Sequence, residues 1–176
     1  LAGNQTATPH LLEAFRQGLR DLGYAEGRNV VIELRDAAGK FEQFSALAAE
    51  LVALKVDVIV APSTPAALAA KQATRTLPIV FIGANDPVTD GLVASLARPG
   101  GNVTGLASLV SELVGKYLEL LKRALPEVSR VAFLWHPGGS GERTEKDMLK
   151  EAEVAAQALG MQLHFVEVSG PNDFDR

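Results

Sequence analysis

A chain of 176 residues is long enough for one large domain or two small ones, and at that size folding buries roughly 70% of the surface the unfolded form exposes. It contains no cysteine, which removes disulfides, thiolate metal sites and thiol nucleophiles from any mechanism. The net charge of −4 comes from interspersed acids and bases with no basic stripe, so nucleic acid is not an expected partner. No apolar run approaches the length of a membrane span, and the first residues lack the basic and apolar segments of a signal peptide; a soluble chain is expected, with any export address already removed.

In chain order, the polar stretch Leu1–Ala7 leads into an apolar stripe of Leu11, Leu12, Phe15, Leu19 and Leu22 that is closed by Gly23, the pattern of an amphipathic helix with glycine just past its end. No strand precedes this helix, so a central strand is expected to be missing. A strand is expected over Asn29–Leu34, followed by a second helical stripe of Phe44, Leu47, Ala48, Leu51 and Val52. Val56–Ala61 reads as a buried strand running into a small-residue helix after Pro65. Leu77–Ile82 and Val103–Leu106 read as two more strands. A third stripe, Leu113, Tyr117, Leu120, Leu121 and Ala124, stops before Pro126. The strand Arg130–Trp135, the helix Glu142–Leu159 closed by Gly160, the strand Met161–Val166 and a polar tail complete the pattern.

The strands are short and rich in Val, Ile, Leu and Phe, as strands covered on both faces should be. Strands alternating with helices predict an α/β fold with a doubly wound parallel sheet, although strand order is left open. The pattern after Pro126 is a single β-α-β unit. The expected division is therefore a first α/β lobe over residues 1–125, nearly complete but lacking its first strand, and part of a second over 126–176.

Three dipeptides, Thr8-Pro9, Thr64-Pro65 and Asp86-Pro87, each set a capping side chain before a proline. Proline suits the first helical turn and a preceding Thr or Asp accepts bonds from free amides, so each pair is expected to open a helix, two of them at the carboxyl end of a strand. Ligands bind along that edge of open parallel sheets, where free amides and helix dipoles favour an anionic group. Taken singly, Thr8, Thr64 and Asp86 each read as a cap on its own helix, and it is three such corners on one edge that point to a ligand. Asp86 is suited to an ammonium and Asn85 to donating and accepting, or simply to a turn. The alanines after Pro65 read as tight packing.

In FLWHPGGSGERT, residues 133–144, a strand leads through a glycine-rich turn into a helix, but the lysine and spacing of a phosphate loop are absent. A weaker anion contact from Gly138, Gly139 and Ser140 stays open, and Trp135 reads as core. His10, His136 and His164 have no ligand spacing and no nucleophile elbow is present, so neither catalytic residues nor a cofactor or metal are expected.

The stretches AFRQGLRDLGYAEGRNVVIELRDAAG, LAAELVALKVDVIVAPSTPAALAAKQATRTLPIVFI and DPVTDGLVASLARPGGNVTGL closely resemble ABC-transporter substrate-binding proteins of the bacterial tryptophan/tyrosine-uptake type, from about Pro9 to Trp135 and more loosely to Val166. The resemblance implies a type I periplasmic-binding fold, in which two doubly wound lobes close on a small solute. It also implies no enzymatic activity, a membrane ABC permease as partner, and a periplasmic or lipid-anchored extracellular location. Carried over by position, Asn4, Gln5 and Thr6, the Ser63-Thr64 corner and the Asn85-Asp86 corner would line the first-lobe side of the cleft. His136 stands where relatives often show Asn. The solute expected from these residues is an amino acid, aromatic or otherwise. The rival readings are an α/β enzyme of the nucleotide-sugar transferase or isomerase kind, which would need a phosphate clamp or acid/base pair, and a ligand-sensing regulatory module.

Overall fold

The computed structural model describes residues 1, 9–109, 113–138, 141–168 and 173. Helix α1 (Pro9–Asp21) is followed by a 3-10 turn (Phe41–Gln43) that runs into α2 (Phe44–Ala53). Then come β1 (Ile59–Ala61), α3 (Thr64–Ala73), β2 (Ile79–Ala84), β3 (Val103–Ala107), α4 (Val114–Ala124), β4 (Arg130–Trp135), α5 (Glu142–Ala158) and β5 (Gln162–Glu167). Two parallel sheets result, one in the order β1-β2-β3 and one pairing β4 with β5. The α/β class and parallel pairing read from the sequence are those observed.

The first sheet carries the larger core. Ile59 and Ala61 of β1, Ile79, Phe81 and Ala84 of β2, and Val103 of β3 are buried together with Phe44, Ala48 and Leu51 of α2. The α2 residues recur at helical spacing, so one face of the helix enters the core. Helix α3 lies against both α2 and the sheet, and it does so through Ala66, Ala67, Ala69 and Ala70, all buried. Small side chains let the helix approach closely on two sides, which is the packing reading of that alanine run.

One expectation fails in this unit. Residues 29–34 form no ladder strand; the only pairing recorded there among the described residues is an isolated parallel bridge between Glu26 and Val30. Val31 stands 76% exposed, so its β-branched composition is not matched by a covered surface, and composition alone does not supply the partner strand a ladder requires. The stripe of α1 does form a helix, ended as expected where Gly23 takes a φ of 84° and the amide of Tyr24 donates to the Leu19 carbonyl at 2.9 Å. None of its residues is buried, however.

The second sheet is smaller. Buried Leu118 of α4, Ala156 of α5 and Met161 form its cluster, with Val128, Val131 and Leu163 packed against them. Helix α4 thus lies on α5, across the Pro126 position at which the sequence reading divides the chain. Along β4, half-buried residues alternate strictly with exposed ones. Among the described residues this strand is covered on one face rather than two, because one helical layer lies on it. Trp135 is accordingly half-buried at the strand end, not enclosed.

Candidate cleft at the carboxyl edge

Strands β1, β2 and β3 run parallel, so the segments leaving their carboxyl ends emerge on one rim. Ser63 follows β1 there, and Asn85 and Asp86 follow the neighbouring β2.

The corner after β1 differs from expectation in one residue. Ser63, not Thr64, is the cap: its backbone is extended (φ −167°, ψ 160°) and its Oγ accepts a bond from the Ala66 amide at 3.3 Å. Thr64 is already helical and buried, with Pro65 in the first turn. The hydroxyl on the rim is therefore that of Ser63.

The corner after β2 is a turn and not the start of a helix. Asp86 Oδ1 accepts from the amides of Val88 (3.2 Å) and Thr89 (2.9 Å), and the chain then folds back through bonds from Leu92 and Val93 to the Pro87 carbonyl. A short glycine-punctuated turn satisfies those amides before a helix can propagate. Oδ2 of Asp86 accepts no bond among the described residues, which leaves half of the carboxylate available. Asn85 joins the ends of two strands: its Oδ1 accepts from Ser108 Oγ at 2.9 Å and its carbonyl from the Leu109 amide at 3.0 Å. The register shift between Ile82 and Ala84, with Gly83 at φ 72°, is what re-aims the chain at this point.

From the second unit, His136 leaves the carboxyl end of β4. Its ring lies 5.5 Å from that of Phe41, which in turn stacks on Phe44 at 5.7 Å. Nδ1 of His136 is 2.7 Å from the Pro137 carbonyl, an acceptor only, so this nitrogen carries the proton. Gly138 also faces Phe41: a Cβ there would lie 3.5 Å from its Cδ2. Asn4, Gln5, Thr6, Thr8, Gly139 and Ser140 fall outside the described residues.

Sequence reasoning missed Phe41 and Ser108, which complete these contacts, and Asp90, whose carboxylate bonds Thr144 of α5. Gly141 at the start of α5 was the available signal: a helix that opens on a residue without a capping side chain draws its cap from elsewhere.

Two hollows lie away from this rim. One of about 620 Å³ is lined by Arg75, Pro78 and the loop from Pro99 to Thr104, at the amino ends of β2 and β3. The other, about 260 Å³, lies between α1 and residues 24–32. Carboxyls held below their usual range sit on exposed helix faces: Glu13 by a hydrogen bond from Arg20, Glu119 by one from Lys116 and Glu142 by one from Lys146.

Polar corners gathered along the carboxyl edge of one parallel sheet, and a second parallel unit whose His136 ring meets Phe41 of the first, fit an α/β protein of the two-unit binding type. The family is settled by comparison: residues 6–175 match the model for ABC transporter substrate binding proteins, and the chain belongs to that family. It is 34% identical over 139 residues to the tyrosine-binding protein of Clostridioides difficile, covering 79% of this chain and 40% of that one. Among solved structures, a conserved domain protein from Vibrio cholerae is 34% identical with a TM-score of 0.79, over 92% of this chain and 54% of its own. An ABC domain from Streptococcus pneumoniae in complex with L-Trp is 27% identical with a TM-score of 0.75, over 92% of this chain and 52% of its own. The chain thus spans 40% of the Clostridioides relative and about half of each of these structures.

Proposed function

We propose that the chain supplies the solute-gripping part of an ABC uptake system, taking a small amino-acid-like solute, an aromatic amino acid first, between two lobes and delivering it to a membrane permease. The observation that carries this reading is family membership joined to the rim itself, where Ser63, Asn85 and the free oxygen of Asp86 lie on adjacent parallel strand ends. The start of α3 offers the solute's carboxylate free amides beside the Ser63 hydroxyl. Asp86 Oδ2 takes the ammonium. Asn4, Gln5 and Thr6 complete the first-lobe wall, Thr64 supports it from below, and His136, Gly138 and Ser140 form the opposite one. The half-buried Phe41 ring, stacked on the buried Phe44, gives the cleft an aromatic flank suited to a planar side chain. A tyrosine-binding relative and a relative holding L-Trp support that choice of solute.

In this reading each of the two parallel sheets is the centre of one lobe, with α4 leading from the first to the second. The protein works outside the cytoplasm, periplasmic or lipid-anchored at the cell surface, and binds without catalysing. A sensing role would use the same cleft but a different partner.

The test is a thermal-shift screen against amino acids, small carboxylates and nucleotides, using a form extended to the length of the relatives. Tyrosine or tryptophan is expected to raise the melting temperature, and D86A to weaken binding roughly tenfold or more, the loss expected for a charge-assisted hydrogen bond. A nucleotide that raises it while amino acids leave it unmoved overturns the reading.

A further inference from the structure

Helix α5 begins at Gly141, which has no side chain to bond the first free amides. One of those amides, that of Thr144, is met from the other unit. Asp90, in the turn after β2, accepts the Thr144 amide on Oδ1 at 3.2 Å and the Thr144 hydroxyl on Oδ2 at 2.7 Å, with Thr144 only 1% exposed. Thr144 is the third residue of the helix, so its amide is the one an N-cap side chain ordinarily bonds. The carboxylate also stands at the positive end of a 17-residue helix, where its charge is favoured. The glycine is required by this arrangement, since a Cβ at position 141 would run into the Asp90 carboxylate. The contact joins residues 54 apart in sequence and links two sheets whose hydrophobic clusters share no residue. The Phe41 and His136 rings meet across the same boundary.

We propose that Asp90 is a clasp between the two parallel-sheet units, holding them closed on one another by capping α5 in place of the helix's own missing N-cap. The clasp sets how far the cleft opens, whichever solute the cleft takes, so it stands or falls separately from the amino-acid reading. A buried, two-point, charge-assisted contact has one arrangement that satisfies it. Separating the units leaves the helix end and the Thr144 hydroxyl to water, and closing them restores both bonds.

Because the chain has no cysteine, a pair of thiols can be introduced without background. Spin labels on Q72C in α3 and E153C in α5, both exposed positions, report the distance between the units. Two further substitutions are compared on that background. D90A removes the clasp. G141S gives α5 a cap of its own while its side chain displaces the Asp90 carboxylate, so the helix stays capped and only the link is broken. Both variants are expected to shift the label-to-label distribution to longer distances, and G141S to do so with hydrogen-exchange protection in α5 unchanged. If D90A fails to fold, G141S alone decides. Distributions that superpose on that of the parent overturn the proposal, and Asp90 is then only a local cap.

Discussion

Gly105 shows how a single residue in the RPGGNVTG motif follows from the fold. A Cβ at this position would strike the carbonyl oxygen and the ring of Phe81 on the neighbouring strand, so β3 can lie against β2 here only if residue 105 has no side chain. Two residues before the strand's second position, Asn102 serves the same alignment by donating from Nδ2 to the Leu77 carbonyl at 2.7 Å, which fixes the loop to the start of β2. G105A is therefore expected to lower stability by about 1–3 kcal/mol, the usual cost of forcing atoms into a packed site. The measurement is the urea midpoint at constant slope. G115A in α4 is the control, since its Cβ would meet Ala155 at an ordinary 3.5 Å and a helical Gly-to-Ala change is neutral or stabilising. Equal losses in the two variants would remove the steric account of position 105.

Among elements, legibility in the sequence tracked burial and locality. β4 begins and ends at the residues read from the sequence, and α2, α4 and α5 fall within a residue of theirs, because apolar spacing, glycine and proline punctuation act over one or two turns. The corner after β1 was legible as a cap but was placed one residue late, since Ser63 and Thr64 carry the same chemistry and only the backbone angles tell them apart. The turn after Asp86 was misread as a helix because its proline and cap fit either outcome until Leu92 and Val93 turn back on Pro87. Asp90 itself was not legible, as its partner lies in a different unit; Gly141 signalled only that α5 takes its cap from elsewhere, not from which residue. Helix α1 marks the opposite limit: its stripe is clear in the sequence, yet Leu12, Phe15 and Leu19 are only half-buried and no residue of the helix is buried among the described residues. Helical stability comes mainly from a buried face, so α1 is expected to exchange its amide hydrogens fastest among the helices, and α3, with five buried residues, slowest. Mass-spectrometric hydrogen exchange reads this directly, and protection in α1 equal to that in α3 would mean that the stripe is covered.

At the scale of the molecule, the two sheets rest on very unequal cores. The first gathers buried residues from β1, β2, β3, α2 and α3, whereas the second rests on Leu118, Ala156 and Met161 with a partly covered rim. Apolar burial contributes about 25 cal/mol for each Å² removed from water, so the second unit is held by the smaller share of that term. Since, among the described residues, no hydrophobic residue belongs to both clusters, the contacts joining the units there are chiefly the Asp90 clasp and the Phe41–His136 pair. Cooperativity between units requires an interface whose loss is felt by both, and the two-point polar contact and ring pair seen among the described residues make a narrow one. Unfolding is therefore expected in two steps: amides of β4 and β5 lose protection at a lower urea concentration than those of β1, β2 and β3. D90A should widen the gap between the steps, because it removes a contact on which the weaker unit depends more. Hydrogen exchange followed peptide by peptide across a urea series resolves the order. Simultaneous loss of protection in both sheets, in the parent and in D90A alike, would mean that the units fold as one body and that the contacts joining them extend well beyond this seam.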